Sequence, residues 1–328
     1  MYDKWKRAVV NLEGATDSVS ATERIDAYRK AVDEAKGGPP SEEAVQKLSS
    51  GSRDVRSQGT AIFLRDDATG HRFLATARHV LFDEIEAKRR LQELGQRYAG
   101  MPPEMLERIA ISDAERARDQ IFSIIFRVPS LTEIASGGFD PTHDSFLMNL
   151  GAGVSWMLPY SFSNAELDLG VISLDGGRRG MNSRFADKLE SLGHATIPFS
   201  QIADAPTAEG ADLCTVGYPG TTSPVGVLDL PPALLHWGSR HVSLPTFSFG
   251  NVAMLHELLP YFWGDLTIYP GNSGGPVIEN ESLVGVVVQQ AVLREPNGQP
   301  QRVPFCKAIK CKYLKELLAQ QIEKDAAG

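Results

Sequence analysis

The segment Pro270-Gly271-Asn272-Ser273-Gly274-Gly275-Pro276 lies between two strand-like runs, GDLTIY before it and VI…ESLVGVVVQQ after it. Its Gly and Pro content marks a tight turn joining strands, not a helix or an open linker. A Ser at the centre of such a turn has two readings. It is an ordinary turn residue, or it is a nucleophile. A nucleophilic Ser needs backbone N–H groups converging on the oxyanion it creates. Those groups converge only in a tight turn, where side chains would block a substrate, and Gly leaves the space open.

Composition narrows the classes. The 328 residues are 42% hydrophobic and 23% charged, ordinary values for a globular protein. Lys plus Arg is 33 against 41 Asp plus Glu, a net charge of -8. An acidic chain is a poor candidate for neutralising phosphates, so no nucleic-acid partner is expected. Thirty Gly and twenty Pro imply many turns and a β-rich fold. Three Cys (Cys214, Cys306, Cys311) with no CxxC make neither a disulfide framework nor a metal site. The first residues hold no apolar stretch of signal-peptide length, and the longest apolar run, Val284–Val288, is far too short for a membrane span. The expectation is a cytoplasmic chain with no membrane partner.

Along the chain, residues 1–56 read as a helical N-terminal extension, Ala-rich and broken at Gly37-Gly38-Pro39-Pro40, docked loosely and without chemistry. From Gln58 the pattern turns to hairpins, GTAIFLRDD then RFLATARHVLF. Residues 83–120 mix charges, with Leu81, Ile85, Leu91, Leu94 and Tyr98 at helical spacing, and predict a helical hairpin inserted in a β-protein. Strands return at 121–128, 145–150 and 166–174. Residues 175–210 read as a linker, more strands follow, and 305–324 predict an amphipathic C-terminal helix.

Two further segments bear on Ser273. TARHV (76–80) ends an apolar strand with a His, which is able to take a Ser proton. ELDLGV (166–171) sets Asp168 in an apolar run, where a carboxylate needs a partner and is able to orient an imidazole. Each alone reads equally as a structural residue. Together, TARHV, ELDLGVISL and GNSGGPV, in the order His, Asp, Ser, resemble the chymotrypsin-like serine peptidases, over about 57–325. TIYPGNSGGPVI and the terminal FCKAIKCKYLKELL are similar to bacterial HtrA-type proteases without a PDZ domain, and TVGYPG (215–220) resembles the glutamyl-endopeptidase branch.

The resemblance implies a double β-barrel peptidase domain over 57–328. The first barrel is expected over about 57–175, with the helical insert at 83–120. The second is expected over about 209–303, with the C-terminal helix at 305–324. It implies His79, Asp168 and Ser273 as the catalytic residues, with the backbone N–H groups of Gly271 and Ser273 as the oxyanion hole. No metal and no cofactor are implied. Departures from the family pattern carry information. Asn272 replaces the Asp that pairs with a new N-terminus on zymogen activation, and no Ile-Val-Gly-Gly cleavage site precedes the first strand. Val80 replaces a disulfide Cys, consistent with a reducing compartment. The pocket base falls at Thr267, where trypsin-type recognition of Lys or Arg uses Asp; Asp265 is two residues off. The far wall falls at Val288, and Gln290 replaces a Gly at the mouth, implying a shallow pocket for a small or medium uncharged P1 residue. The absence of a His near Val287 speaks against acidic P1 residues.

The expectation is therefore a serine endopeptidase acting on proteins or peptides through an acyl-enzyme. The competing expectation is a binding or regulatory module on the same scaffold, inactive or switched on by a regulatory protein partner that contacts the insert or the N-terminal helices. His71, His143, His194, His236, His241 and His256 fall at no metal-ligand spacing and read as structural or surface residues.

Overall fold

The computed structural model describes residues 2–15, 19–45, 55–82, 84–109, 120–126, 131–138, 140, 145–149, 160–162, 167–176, 183–227, 241–294, 298 and 300–327. The chain is mostly β. The strands, in order, are β1 (Val9–Ala15), β2 (Val55–Arg65), β3 (Arg72–Ala77), β4 (Gln120–Phe126), β5 (Ser145–Asn149), β6 (Tyr160–Phe162), β7 (Leu169–Ser173) and β8 (Ile197–Pro198). The second half adds β9 (Asp212–Gly217), β10 (Pro224–Val227), β11 (His241–Ser243), β12 (Thr246–Leu255), β13 (Tyr261–Gly264), β14 (Pro276–Glu279), β15 (Ser282–Arg294) and β16 (Pro300–Lys310).

Strands β12-β13-β16-β15-β14-β9 close a six-stranded barrel, and the first half forms an eight-stranded sheet in the order β5-β4-β1-β2-β3-β7-β6, with β8 on β2. A closed barrel beside a second large sheet agrees with the double-barrel architecture expected from the sequence. Inside the barrel, Leu213, Val252, Phe262, Leu266, Ile268, Val277, Val284 and Val287 form one apolar cluster. The larger cluster spans both halves, from Val9, Ile62 and Val171 to Val216, Val286, Val288 and Leu314. The two halves thus share one closely packed core, which holds them in a fixed relation.

The N-terminus departs from the loose appendage expected. After a short helix, Tyr2–Arg7, the chain enters the sheet as β1, paired to both β2 and β4. Trp5, Val9, Val10 and Leu12 are buried, and Ala195 N–H donates to the Arg7 carbonyl. VVNLEGA is too short to stand out by periodicity, and only pairing on both sides stabilises it as a strand. The helical part of this region, Val19–Glu34, therefore interrupts the sheet between β1 and β2.

Two other expectations shift, while the insert is helical where it is described. The helix Glu84–Arg97 and a second helical stretch at 103–109 occupy the predicted insert, whose remaining residues 110–119 lie outside the described ones. The stretch 175–210 is no plain linker: helix Ser183–Ser191 buries Phe185, Ala186 and Leu189, and β8 pairs with β2. The C-terminal helix starts at Cys311, not 305, because Phe305–Lys310 complete β16, the strand that joins β13 to β15 and closes the barrel beyond residue 303. Ladder hydrogen bonds on both edges of that segment override its helical spacing. Cys306 is accordingly a strand residue. His194 is buried with its Nδ1 3.0 Å from the Arg7 carbonyl, a structural role as expected. His143 and His236 lie outside the described residues. Among the described residues no helix is long and apolar enough to cross a membrane.

Trp5 is wholly buried in the shared core. Trp5→Ala should therefore cost about 3–5 kcal/mol of unfolding free energy. Val32→Ala, on the exposed side of helix Val19–Glu34, should stay within about 0.5 kcal/mol. Urea denaturation of the two variants checks both.

Candidate active site

β3 ends at Ala77 and the chain passes into a single helical turn, Arg78–Leu81, closed by Phe82 N–H donating to the Arg78 carbonyl. Val80 and Leu81 are buried there, which leaves the His79 side chain facing out, 44% exposed. Asp168 lies just before β7, the neighbour of β3 in the sheet. The ladder therefore brings together residues 89 positions apart. His79 Nδ1 is 2.7 Å from Asp168 Oδ2, and the His79 backbone N–H donates to Oδ1 at 2.9 Å. The Asp168 carbonyl accepts the Arg78 N–H at 2.9 Å. One carboxylate thus fixes both the ring and the backbone of His79, with Nδ1 as the protonated nitrogen, which leaves Nε2 as an acceptor. Asp168 has φ +51, a left-handed conformation that costs a non-Gly residue of the order of 1 kcal/mol or more and persists only where surrounding bonds impose it.

The turn 270–275 is held peptide by peptide. The Pro270 carbonyl accepts from Gly220 N–H at 2.9 Å. The Gly271 carbonyl accepts from the Thr60 hydroxyl at 2.7 Å, while Asn272 N–H donates to Tyr269 at 3.0 Å. The Asn272 carbonyl accepts from Gly275 N–H at 2.8 Å. The Ser273 carbonyl accepts from Thr60 N–H at 2.8 Å, while Gly274 N–H donates to Val287 at 2.7 Å. Because each peptide is planar and trans, fixing a carbonyl points the attached N–H the other way. Among the described residues, the Gly271 and Ser273 N–H groups donate no hydrogen bond. They are the two left over, on either side of Asn272.

Two glycines make this seating possible. Gly271 has φ +104, and a Cβ there would meet the Tyr218 carbonyl oxygen at 2.1 Å. Gly274 has φ +86, and a Cβ would meet the Thr60 carbonyl at 2.0 Å, the Thr76 hydroxyl at 2.1 Å and Ala77 N at 2.9 Å. The turn therefore presses onto β2 and onto the end of β3, two residues before His79. Asn272 is 2% exposed, and its Oδ1 accepts the Tyr269 N–H at 3.3 Å. A neutral amide here holds the turn without needing a cation.

Of the expected pocket residues, Thr267 is exposed, Val288 is buried in the shared core, and Gln290 is half-buried. The Gln290 Oε1 is buried without a hydrogen-bond partner. Val287 N–H donates to the Gly275 carbonyl, so the strand carrying Val288 and Gln290 is tied to the Ser273 turn. Asp265 is exposed and donates its N–H to Asn251. The three Cys are buried free thiols; burial pushes Cys214 up to about 11 and Cys306 up to about 12, and raises Cys311 as well. None is a thiolate nucleophile near neutral pH. Among the described residues no group of His, Cys, Asp or Glu is arranged to hold a metal ion.

A family model described as a trypsin-like peptidase domain matches residues 59–286, more than half of the chain. The chain belongs to the trypsin-like peptidase family. The match takes in His79, Asp168, Ser273 and the whole of β2, β3 and β7 from Gly59 onward, and leaves β1 outside. A search of the curated proteins found no significant match to the chain.

Sequence reasoning missed Thr60, Thr76 and the packing role of Tyr218-Pro219-Gly220. The Thr76 hydroxyl donates to the Thr60 carbonyl at 2.7 Å, and the Thr60 hydroxyl accepts Tyr218 N–H at 3.0 Å. The available signal was a hydroxyl residue inside each of two apolar strands, QGTAIF and LATARH, since a buried hydroxyl must find a partner.

Gly274→Ala meets both a positive φ and a filled space and should destabilise the fold by more than about 3 kcal/mol. Gly70→Ala, with φ +75 but nothing within 4 Å, should cost only about 1 kcal/mol. Chemical denaturation of both variants measures the difference.

Proposed function

We propose that the protein is a serine endopeptidase working through an acyl-enzyme, with His79, Asp168 and Ser273 as the catalytic residues. The observation that carries this reading is the pairing of His79 Nδ1 with Asp168 Oδ2 at 2.7 Å, together with a turn, seated against Thr76 and Ala77, whose Gly271 and Ser273 N–H groups have no partner among the described residues. Ser273 Oγ attacks the scissile carbonyl and passes its proton to His79 Nε2. Asp168, bound to Nδ1–H, keeps the tautomer and stabilises the imidazolium. The oxyanion takes hydrogen bonds from the Gly271 and Ser273 N–H groups. His79 then gives its proton to the leaving amine, and water releases the acyl group by the same steps in reverse order.

For the side chain before the cleaved bond, we propose a small or medium uncharged residue. Thr267 supplies no charge to pair with Lys or Arg, and Val288 supplies an apolar wall. The half-buried Gln290 stands where the resemblance expects a Gly and narrows the mouth. Val80 and the three free buried thiols suit a reducing compartment.

A fluorophosphonate probe tests the reading. The wild type should be labelled on Ser273 and Ser273→Ala should not, while Asp168→Asn should label and cleave peptides about 10⁴-fold more slowly. A chelator should leave labelling unchanged. No labelling of the wild type, alone or with candidate partner proteins, would favour a binding module on a protease scaffold.

A further inference from the structure

We infer that Thr60 is the positioning residue for the oxyanion donors, an inference that rests on the proposed peptidase reading and extends it to a residue outside the expected site. Thr60 is fully buried in β2, in register with Asn11 of β1. It binds the Ser273 turn at two points. Its N–H donates to the Ser273 carbonyl at 2.8 Å and its hydroxyl donates to the Gly271 carbonyl at 2.7 Å. These are the carbonyls of the same two residues whose N–H groups are unpartnered. The hydroxyl also accepts the Tyr218 N–H at 3.0 Å. That segment carries Gly220, whose N–H holds the Pro270 carbonyl at 2.9 Å. The peptide joining Pro270 to Gly271 is the one whose orientation decides where the Gly271 N–H points. A single hydroxyl thereby locks together the turn and the segment that sets the turn's first donor.

The His side is tied to the same residue. The Thr60 carbonyl accepts the Thr76 hydroxyl at 2.7 Å, three residues before His79. Thr60 therefore uses its N–H, its carbonyl and both roles of its hydroxyl to join the Ser273 turn, the 218–220 segment and the strand that delivers His79. Replacing the hydroxyl by a methyl removes the donor to the buried Gly271 carbonyl and the acceptor that ties the Tyr218 N–H to the turn. The lost bonds weaken the hold on the turn, because an unsatisfied buried polar group is costly. Thr60 touches neither the nucleophile's oxygen nor a substrate, so its effect runs through the placement of the two donors.

The test compares wild type, Thr60→Val and Thr60→Ser, with kcat on a peptide substrate expressed per active site titrated by a fluorophosphonate. Thr60→Val should lower kcat per titrated site about 10- to 100-fold, with KM within about threefold. Thr60→Ser, which keeps the hydroxyl, should stay within about threefold of wild type in both. A purely structural role would lower the titrated fraction and the melting temperature and leave kcat per site unchanged, and that result would overturn the inference. So would equal losses in Thr60→Ser and Thr60→Val. If Thr60→Val yields no folded protein, Thr60→Ala carries the same comparison with the same criteria. Absence of Ser273 labelling in the wild type would remove the peptidase reading itself, and the inference with it.

Discussion

The placement of the candidate site depends on how the glycine-rich turn 270–275 sits on β2 and β3. Its carbonyls are taken one after another by Gly220, Thr60, Gly275 and Thr60 again. All four bonds are between neutral groups, and Thr60, Gly271, Asn272 and Gly275 are buried. A buried carboxylate at position 272 would have needed a cation brought in from elsewhere, since an unpaired buried charge is costly. Asn272 needs only the Tyr269 N–H for its side-chain oxygen and so makes the turn self-sufficient. By the resemblance, Asn272 stands where the digestive members carry an Asp that pairs with a cut N-terminus.

The N-terminal strand extends that support outward. β1 pairs with β2 along the stretch that includes Thr60, and Trp5 and Leu12 fill the core beneath it. The Tyr218 hydroxyl, next to the segment that holds the turn, donates to the Val9 carbonyl at 3.2 Å. Residues 2–15 are therefore part of the platform on which the site rests. Helix Val19–Glu34 sits between β1 and β2, and helix Glu84–Arg97 follows His79.

The family was legible because its motifs are short and local. TARHV, ELDLGV and GNSGGP each carry their own turn or strand signal around the functional group. The barrel architecture was legible through the family resemblance, and several of its strands through their apolar runs between turns. What escaped was decided by long-range pairing. VVNLEGA is a strand only because β2 and β4 flank it. FCKAIK is a strand only because β13 and β15 need it to close the barrel, although its spacing suits a helix. Thr60 is unremarkable in QGTAIF, because its partners, Tyr218 and Gly271, are 158 and 211 residues away. No pattern of spacing encodes a hydroxyl that joins such distant segments.

The central claim is that the turn presents the Gly271 and Ser273 N–H groups as an oxyanion site beside His79. A crystal structure of the protein after reaction with a fluorophosphonate tests it most directly. The claim requires phosphorus on Ser273 Oγ and a phosphoryl oxygen within about 2.7–3.1 Å of both backbone nitrogens. An adduct whose phosphoryl oxygen faces solvent, with either N–H turned to an internal carbonyl, would contradict it.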